Sequence, residues 1–417
     1  MPRSVGVLAL ALALLLSGCT APVRPAPVPT ASSTPVVTTS RWVESVLGRA
    51  ALASEQDDDA AALALLRPFT SPEALALAAT VRRHAADEVT WPDDARIPHL
   101  FFHSLIVDPS RAFDGGASSA GYDDYMVTET EFRRILQSLY DRGFVLVSPH
   151  DFAGLDASHR MRHLPLRLPH GRKPLVLSQD DVNYYRYEQG DGLAANLTLQ
   201  GGRVVSTYRD ARGRILTGSY DVAPVVDDFV RRHPDFAYHG HKGVLAVTGY
   251  EGVLGYRTSP SEDSGNVHLA ADRQQATRVA DALKAEGWEF ASHSWGHIDD
   301  TTASIGWLEH DSARWDAEVR PITGPTDLYV YPFGADISGV APYSGAKYRL
   351  LQRHGFRYFF GVDGSTPHWQ QLGATSLRQA RIDVDGIRLR GGISGGETVL
   401  DGFFDPRAVF DRARPRR

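Results

Sequence analysis

Gly243-Val-Leu-Ala-Val-Thr248, a helical stretch from Asp272 to Gly287, and Trp288-Glu-Phe-Ala-Ser292 follow one another in the chain. A short apolar run without alternation reads as a strand buried on both faces, and two such runs joined by a helix read as a parallel crossover. The rhythm extends both ways. Upstream, His99 to Val107 and Phe144-Val-Leu-Val147 are strand candidates, separated by an amphipathic helix from Thr128 to Arg142 in which Thr128 and Glu131 are spaced for a capping box. Pro174-Leu-Val-Leu-Ser178 is another buried strand, followed by a helix from Val222 to His233. Downstream come a helix from Ser312 to Val319, a strand Leu328 to Tyr331, a helix from Lys347 to His354 stopped at Gly355, and a strand Tyr358 to Val362. So many alternating units predict an α/β fold, with a closed β/α barrel favoured over an open sheet. Asn196 to Ser219, with Gly201-Gly202 and Arg212-Gly213, breaks the rhythm and reads as inserted β-hairpins.

Ahead of this region the chain is Ala- and Leu-rich with helical spacing, a helical preface over 41–95 with Ser71-Pro72-Glu73 as a helix start. The barrel is expected over 96–412, with the β insertion at 190–220. Residues 20–40 are rich in Pro, Ser and Thr with almost no charge, the composition of an extended tether. Residues 1–19 combine Arg3, a short apolar run from Val5 to Leu16 and the ending Ser17-Gly18-Cys19, which is the pattern of an export signal and too short to span a bilayer. Leu16-Ser-Gly-Cys19 resembles the bacterial lipoprotein box, and Cys19 is the only cysteine in the chain. The expectation is lipidation at Cys19 and an exported protein held at a membrane facing outward.

Composition narrows the function classes. With 42% hydrophobic and 23% charged residues among 417, the chain is neither disordered nor a polytopic membrane protein. A formal charge of -6 gives no field that would gather nucleic acid, so no nucleic-acid partner is expected.

Parallel β/α folds carry their chemistry at the carboxyl ends of the strands. Three such ends stand out. Asp180-Asp181 follows Leu175-Val-Leu-Ser-Gln179, and adjacent carboxylates repel unless a cation or proton lies between them; a helix cap or solvated turn can also carry such a pair. His293-Ser-Trp-Gly-His297 follows Trp288 to Ser292, and two histidines four apart on one helical turn face the same side. Two histidines and the Asp181 carboxylate would leave open positions for water and substrate, the requirement of a catalytic metal. Tyr331-Pro-Phe-Gly334 ends the third strand, where a backbone N–H can face an oxyanion.

In this order, these segments resemble the motifs of the polysaccharide deacetylases with a NodB-type domain, over roughly residues 97–399. The resemblance implies an irregular β/α barrel, a general base at Asp180, one divalent metal, zinc by preference, on Asp181, His293 and His297, and an oxyanion contact from the Phe333 amide. Three departures accompany it. Val182 stands where glycine usually follows the Asp-Asp pair; Val330 stands where an arginine often precedes the third motif, leaving Arg381 to serve the base; and the late Leu-x-His motif that supplies the acid is missing. Phe101-Phe-His103, followed by Tyr125-Met-Val-Thr128, resembles the opening of the poly-N-acetylglucosamine deacetylases, which implies His103 as the acid, with His99 as competitor. The implied activity is removal of N-acetyl groups from an amino-sugar polymer. Tyr184, Tyr185 and Trp295, with Trp307 and Trp369, are candidates for stacking on sugar faces. A noncatalytic carbohydrate-binding lipoprotein and a metal amidase acting on a small amide are the alternatives.

Overall fold

The computed structural model describes residues 37–415, so the signal, Cys19 and most of the tether lie outside the described residues. The chain divides into residues 1–44 and 45–417. Of the first unit, only the start of the helix Val37–Glu55 is described.

Seven parallel strands form the centre of the second unit: β1 (His99–Phe102), β2 (Lys173–Gln179), β3 (Gly243–Val247), β4 (Trp288–Ser292), β5 (Leu328–Val330), β6 (Tyr358–Val362) and β7 (Leu377–Asp383). They are hydrogen-bonded in the order β3, β4, β5, β6, β7, β1, β2, and β2 returns to β3 through Val244 opposite Ser178, which closes the barrel. The first strand lies between the last and the second, with Leu100 opposite both Ile382 and Leu177. Phe144–Leu146 adds a parallel strand along the start of β2.

Alternation along each strand divides the core. Val176, Val244, Ala246, Ala291, Val330 and Phe360 share one buried cluster, while their neighbours Leu175, Leu177, Leu245, Val247 and Phe290 pack with the helices Val222–Arg232 and Leu269–Ala285. Full burial of each Val, Leu or Phe among them contributes roughly 1.5–3 kcal/mol, and this is what fixes the register. The helix Glu129–Asp141 begins at the expected capping box, Thr128 accepting from the Glu131 amide and Glu131 accepting from the Thr128 amide.

Several details depart from expectation. The helix predicted from Ser312 begins at Ile305, capped by Ser304, because that cap and not the apolar periodicity sets its start. The inserted segment does form the expected hairpins, two in succession as a three-stranded antiparallel sheet, Ala194–Gln200, Arg203–Arg209 and Ile215–Gly218. In the preface, helices Asp59–Leu66 and Pro72–Asp87 bury Ala62, Leu66, Ala74, Ala78 and Val81, after which Glu88–Thr90 turns extended and pairs with Arg167–Pro169.

Candidate active site

β2 ends at Gln179, and the next two residues turn into a cleft of about 680 Å³ at the carboxyl ends of the strands. The turn is sharp because Asp181 adopts φ 57°, a left-handed conformation uncommon outside glycine. Neighbouring strand residues point to opposite faces, so this bend is what brings both carboxylates to one site. It is held by buried Asn183, whose side-chain nitrogen donates to the Thr248 carbonyl at 3.0 Å and whose oxygen accepts from the Thr248 amide at 3.0 Å.

Asp180 is almost fully buried and paired in bidentate fashion with Arg381 of β7, at 2.6 and 2.8 Å. Burial favours its neutral form, but Arg381 and His293 outweigh that and hold the carboxyl well below the usual carboxylate range. The sequence-based link between Arg381 and Asp180 thus corresponds to a direct contact. The Arg381 guanidinium lies 4.0 Å from the centre of the Phe101 ring.

His293 follows β4 directly. Its Nδ1 donates to the Val330 carbonyl at 2.9 Å, which leaves Nε2 as an acceptor facing Asp181 Oδ1 at 4.0 Å. His297 Nε2 stands 3.8 Å from the same carboxylate oxygen, and one donor atom from each of the three residues lies within 4.8 Å of the others. The two histidines do not occupy a helical turn as expected. They sit on a loop in which Ser294 and His297 have φ 56° and 50°, and this loop, not a 3.6-residue repeat, sets the rings 4.9 Å apart. Burial, with help from His293, lowers His297 to about 4, so it is a neutral imidazole at neutral pH. A carboxylate and two imidazoles, one with its far nitrogen tied to a backbone carbonyl, fit a divalent cation such as zinc.

His103, just past β1, lines the same cleft, with Nδ1 4.0 Å from Asp383 Oδ1 at the end of β7. Burial disfavours its charge, yet Asp383, Asp180 and Asp181 together raise its pKa above the ordinary value. His99, the competitor, is fully buried beneath the cleft. Its nitrogens bond Gln379 at 3.0 Å and Ser178 at 2.8 Å, and burial beside Arg381 pushes its pKa well down, so it is a neutral core residue. Phe333 sits at the mouth with φ 58°, 72% exposed, its ring centre 4.3 Å from that of His297.

The proposed sugar-stacking residues need correction. Tyr184 is buried and its hydroxyl donates to Asp221 at 2.5 Å, within a knot that also takes Gln179 and the Leu105 amide. Tyr185 is buried too, and donates to Asp181 Oδ1 at 2.6 Å, so it orients a candidate ligand. Trp295 lines a different groove, its Nε1 donating to Glu318 at 2.9 Å. The exposed aromatics at the cleft are Tyr125, Tyr187 and Phe333. Asp383 also escaped sequence reading, although Arg381-Ile-Asp383 is an i, i+2 pair and would share a strand face.

No family model matches the chain, and no curated protein matches it. Among solved structures, a Streptococcus pyogenes deacetylase, PplD in complex with acetate, is similar at 15% identity and TM-score 0.38, covering 70% of this chain and 94% of that one.

Proposed function

We propose that the protein is a metal-dependent hydrolase that removes N-acetyl groups from an amino-sugar polymer. The observation that carries this reading is the convergence, in one cleft, of three metal-fitting donors with an ionised carboxylate on one side and, on the other, an imidazole whose pKa the neighbouring carboxylates raise. Hydrolysis of an amide needs both a proton acceptor for the attacking water and a proton donor for the departing nitrogen. Asp180, oriented by Arg381, takes the water proton. His103 gives its proton to the nitrogen as the carbon–nitrogen bond breaks, and acetate and a free amine leave. A divalent cation on Asp181, His293 and His297 would polarise the acyl oxygen and acidify the water, which is what lets a carboxylate as weakly basic as Asp180 act. The Phe333 amide is proposed as a second oxyanion contact.

A histidine in the cleft whose pKa the carboxylates raise argues against a binding relic. The open cleft with exposed Tyr125, Tyr187 and Phe333 at its rim favours a polymer over a small amide. The reading includes export and anchoring through a lipid on Cys19, supported by the box at residues 16–19 and its lone cysteine. No helix among the described residues is long and apolar enough to cross a membrane.

Metal analysis joined to acetate release from a panel of N-acetylated glycans tests the reading. The wild type should carry about one equivalent of metal and release acetate, and His297→Ala should lose both. Acetate release by metal-free protein, or none from any glycan by metal-loaded wild type, would overturn it.

A further inference from the structure

Beyond the loop that carries the two histidines lies a second groove of about 420 Å³, within the size range of ligand sites. Its walls are the loop after β3, the 293–298 loop and the helix Ile305–Glu318. Its floor is rigid. Trp295 accepts from the amides of Gly249 and Tyr250 at 2.8 and 2.9 Å, and its ring lies so close to Gly249 that a Cβ there would stand 2.0 Å from it. Asp311 accepts from the Trp295 and Gly296 amides, both at 2.7 Å, which binds the helix to the histidine loop. Arg314 covers the face of Trp295 at 4.1 Å, so the ring left open is Trp307, 55% exposed on the first helical turn.

A row of stacked rings, its middle member buried, runs from the cleft to this groove. Tyr187 at the cleft rim stacks on Tyr185 at 5.7 Å, and Tyr185 stacks on Tyr250 at 5.0 Å, which lines the second groove. A lone exposed tryptophan carries no message, but one set in a concave site at the end of such a row, beside Glu262, His310 and Arg314, offers an apolar plate ringed by polar groups of both signs. That mixture suits a neutral ligand with apolar faces and hydroxyl or amide edges better than a polyanion or polycation. We propose that the Trp307 groove is a distal subsite for the same acetylated amino-sugar chain whose reacting unit occupies the cleft. The inference rests on the deacetylase reading. Contacts to units remote from the reacting bond should lower KM for long chains and leave kcat alone.

The test compares wild type, Trp307→Ala and Trp307→Phe as metal-loaded full chains, with N-acetylated amino-sugar dimers and hexamers. Calorimetric Kd for the hexamer should rise roughly tenfold in Trp307→Ala, as should KM, with kcat unchanged. The dimer should show no change, and Trp307→Phe should recover most of the loss. Equal Kd for the hexamer in wild type and Trp307→Ala overturns the subsite, as does an equal loss on dimer and hexamer, or a change only in self-association. Hexamer binding that depends on Trp307 without acetate release would keep the subsite and overturn the deacetylase reading instead.

Discussion

Among the described residues, two places gather histidine and carboxylates closely enough to hold a cation: Asp181, His293 and His297 in the barrel, and Asp57, His84 and Glu88 beside the preface helices. They differ in what their lone pairs already do. In the barrel, His293 ties Nδ1 to a backbone carbonyl and turns Nε2 to the carboxylate, and burial keeps His297 neutral. In the preface, His84 turns one nitrogen to Asp59 at 2.9 Å and the other to Asp57 at 3.5 Å, and Glu88 is paired with Arg167 at 3.1 Å. Burial opposes the charge on His84 while Asp59 and Asp57 raise its pKa, and both ring nitrogens are already turned to those carboxylates. Distance alone does not distinguish the two; the partners already taken by the ring nitrogens do.

The largest test of this contrast separates the neighbours at the barrel site. Asp180→Asn should keep the metal and lose activity by about 10² to 10⁴ in rate, while Asp181→Asn should lose metal and activity together. Metal content that follows Asp180 instead would exchange the roles.

A subtler test uses pH. An acid acts only while protonated, so activity attributed to His103 persists below its pKa and falls as pH rises through it. Removing the Asp383 charge takes away a cause of the raised His103 pKa, so in Asp383→Asn the alkaline limb of kcat should move to lower pH with metal content unchanged. An unmoved limb would assign the titration to another group. The smallest effect is expected at the other cluster. His84→Ala should leave metal content untouched and cost about 1 kcal/mol in urea unfolding, and a loss of bound metal would erase the distinction.

The sequence made the barrel legible because strands buried on both faces cannot alternate, and β4 and β6 match their apolar runs residue for residue. Asp180, Asp181 and His293 were legible because they follow those runs directly, and His297 because it stands four residues after His293. The aromatic contacts were not. Tyr184 has φ 56°, and no local pattern tells that this turn sends one tyrosine to Asp221 and the next to Asp181. Trp295 lies between the two histidines in sequence but faces the opposite side of their loop, and Asp383 reaches His103 across 280 residues, from the last strand to the first.

That closure of the first strand against the last has a consequence for biosynthesis. His99 meets Gln379 across 280 residues, a separation at which pairing is slow and the loop entropy must be overcome before any contact is gained. A chain interrupted before β7 would already carry Asp180, Asp181, His293 and His297, yet lack Arg381, Asp383 and the strand that seats β1 and His103. The proposed site is therefore completed last, and a chain that stops before β7 lacks part of it.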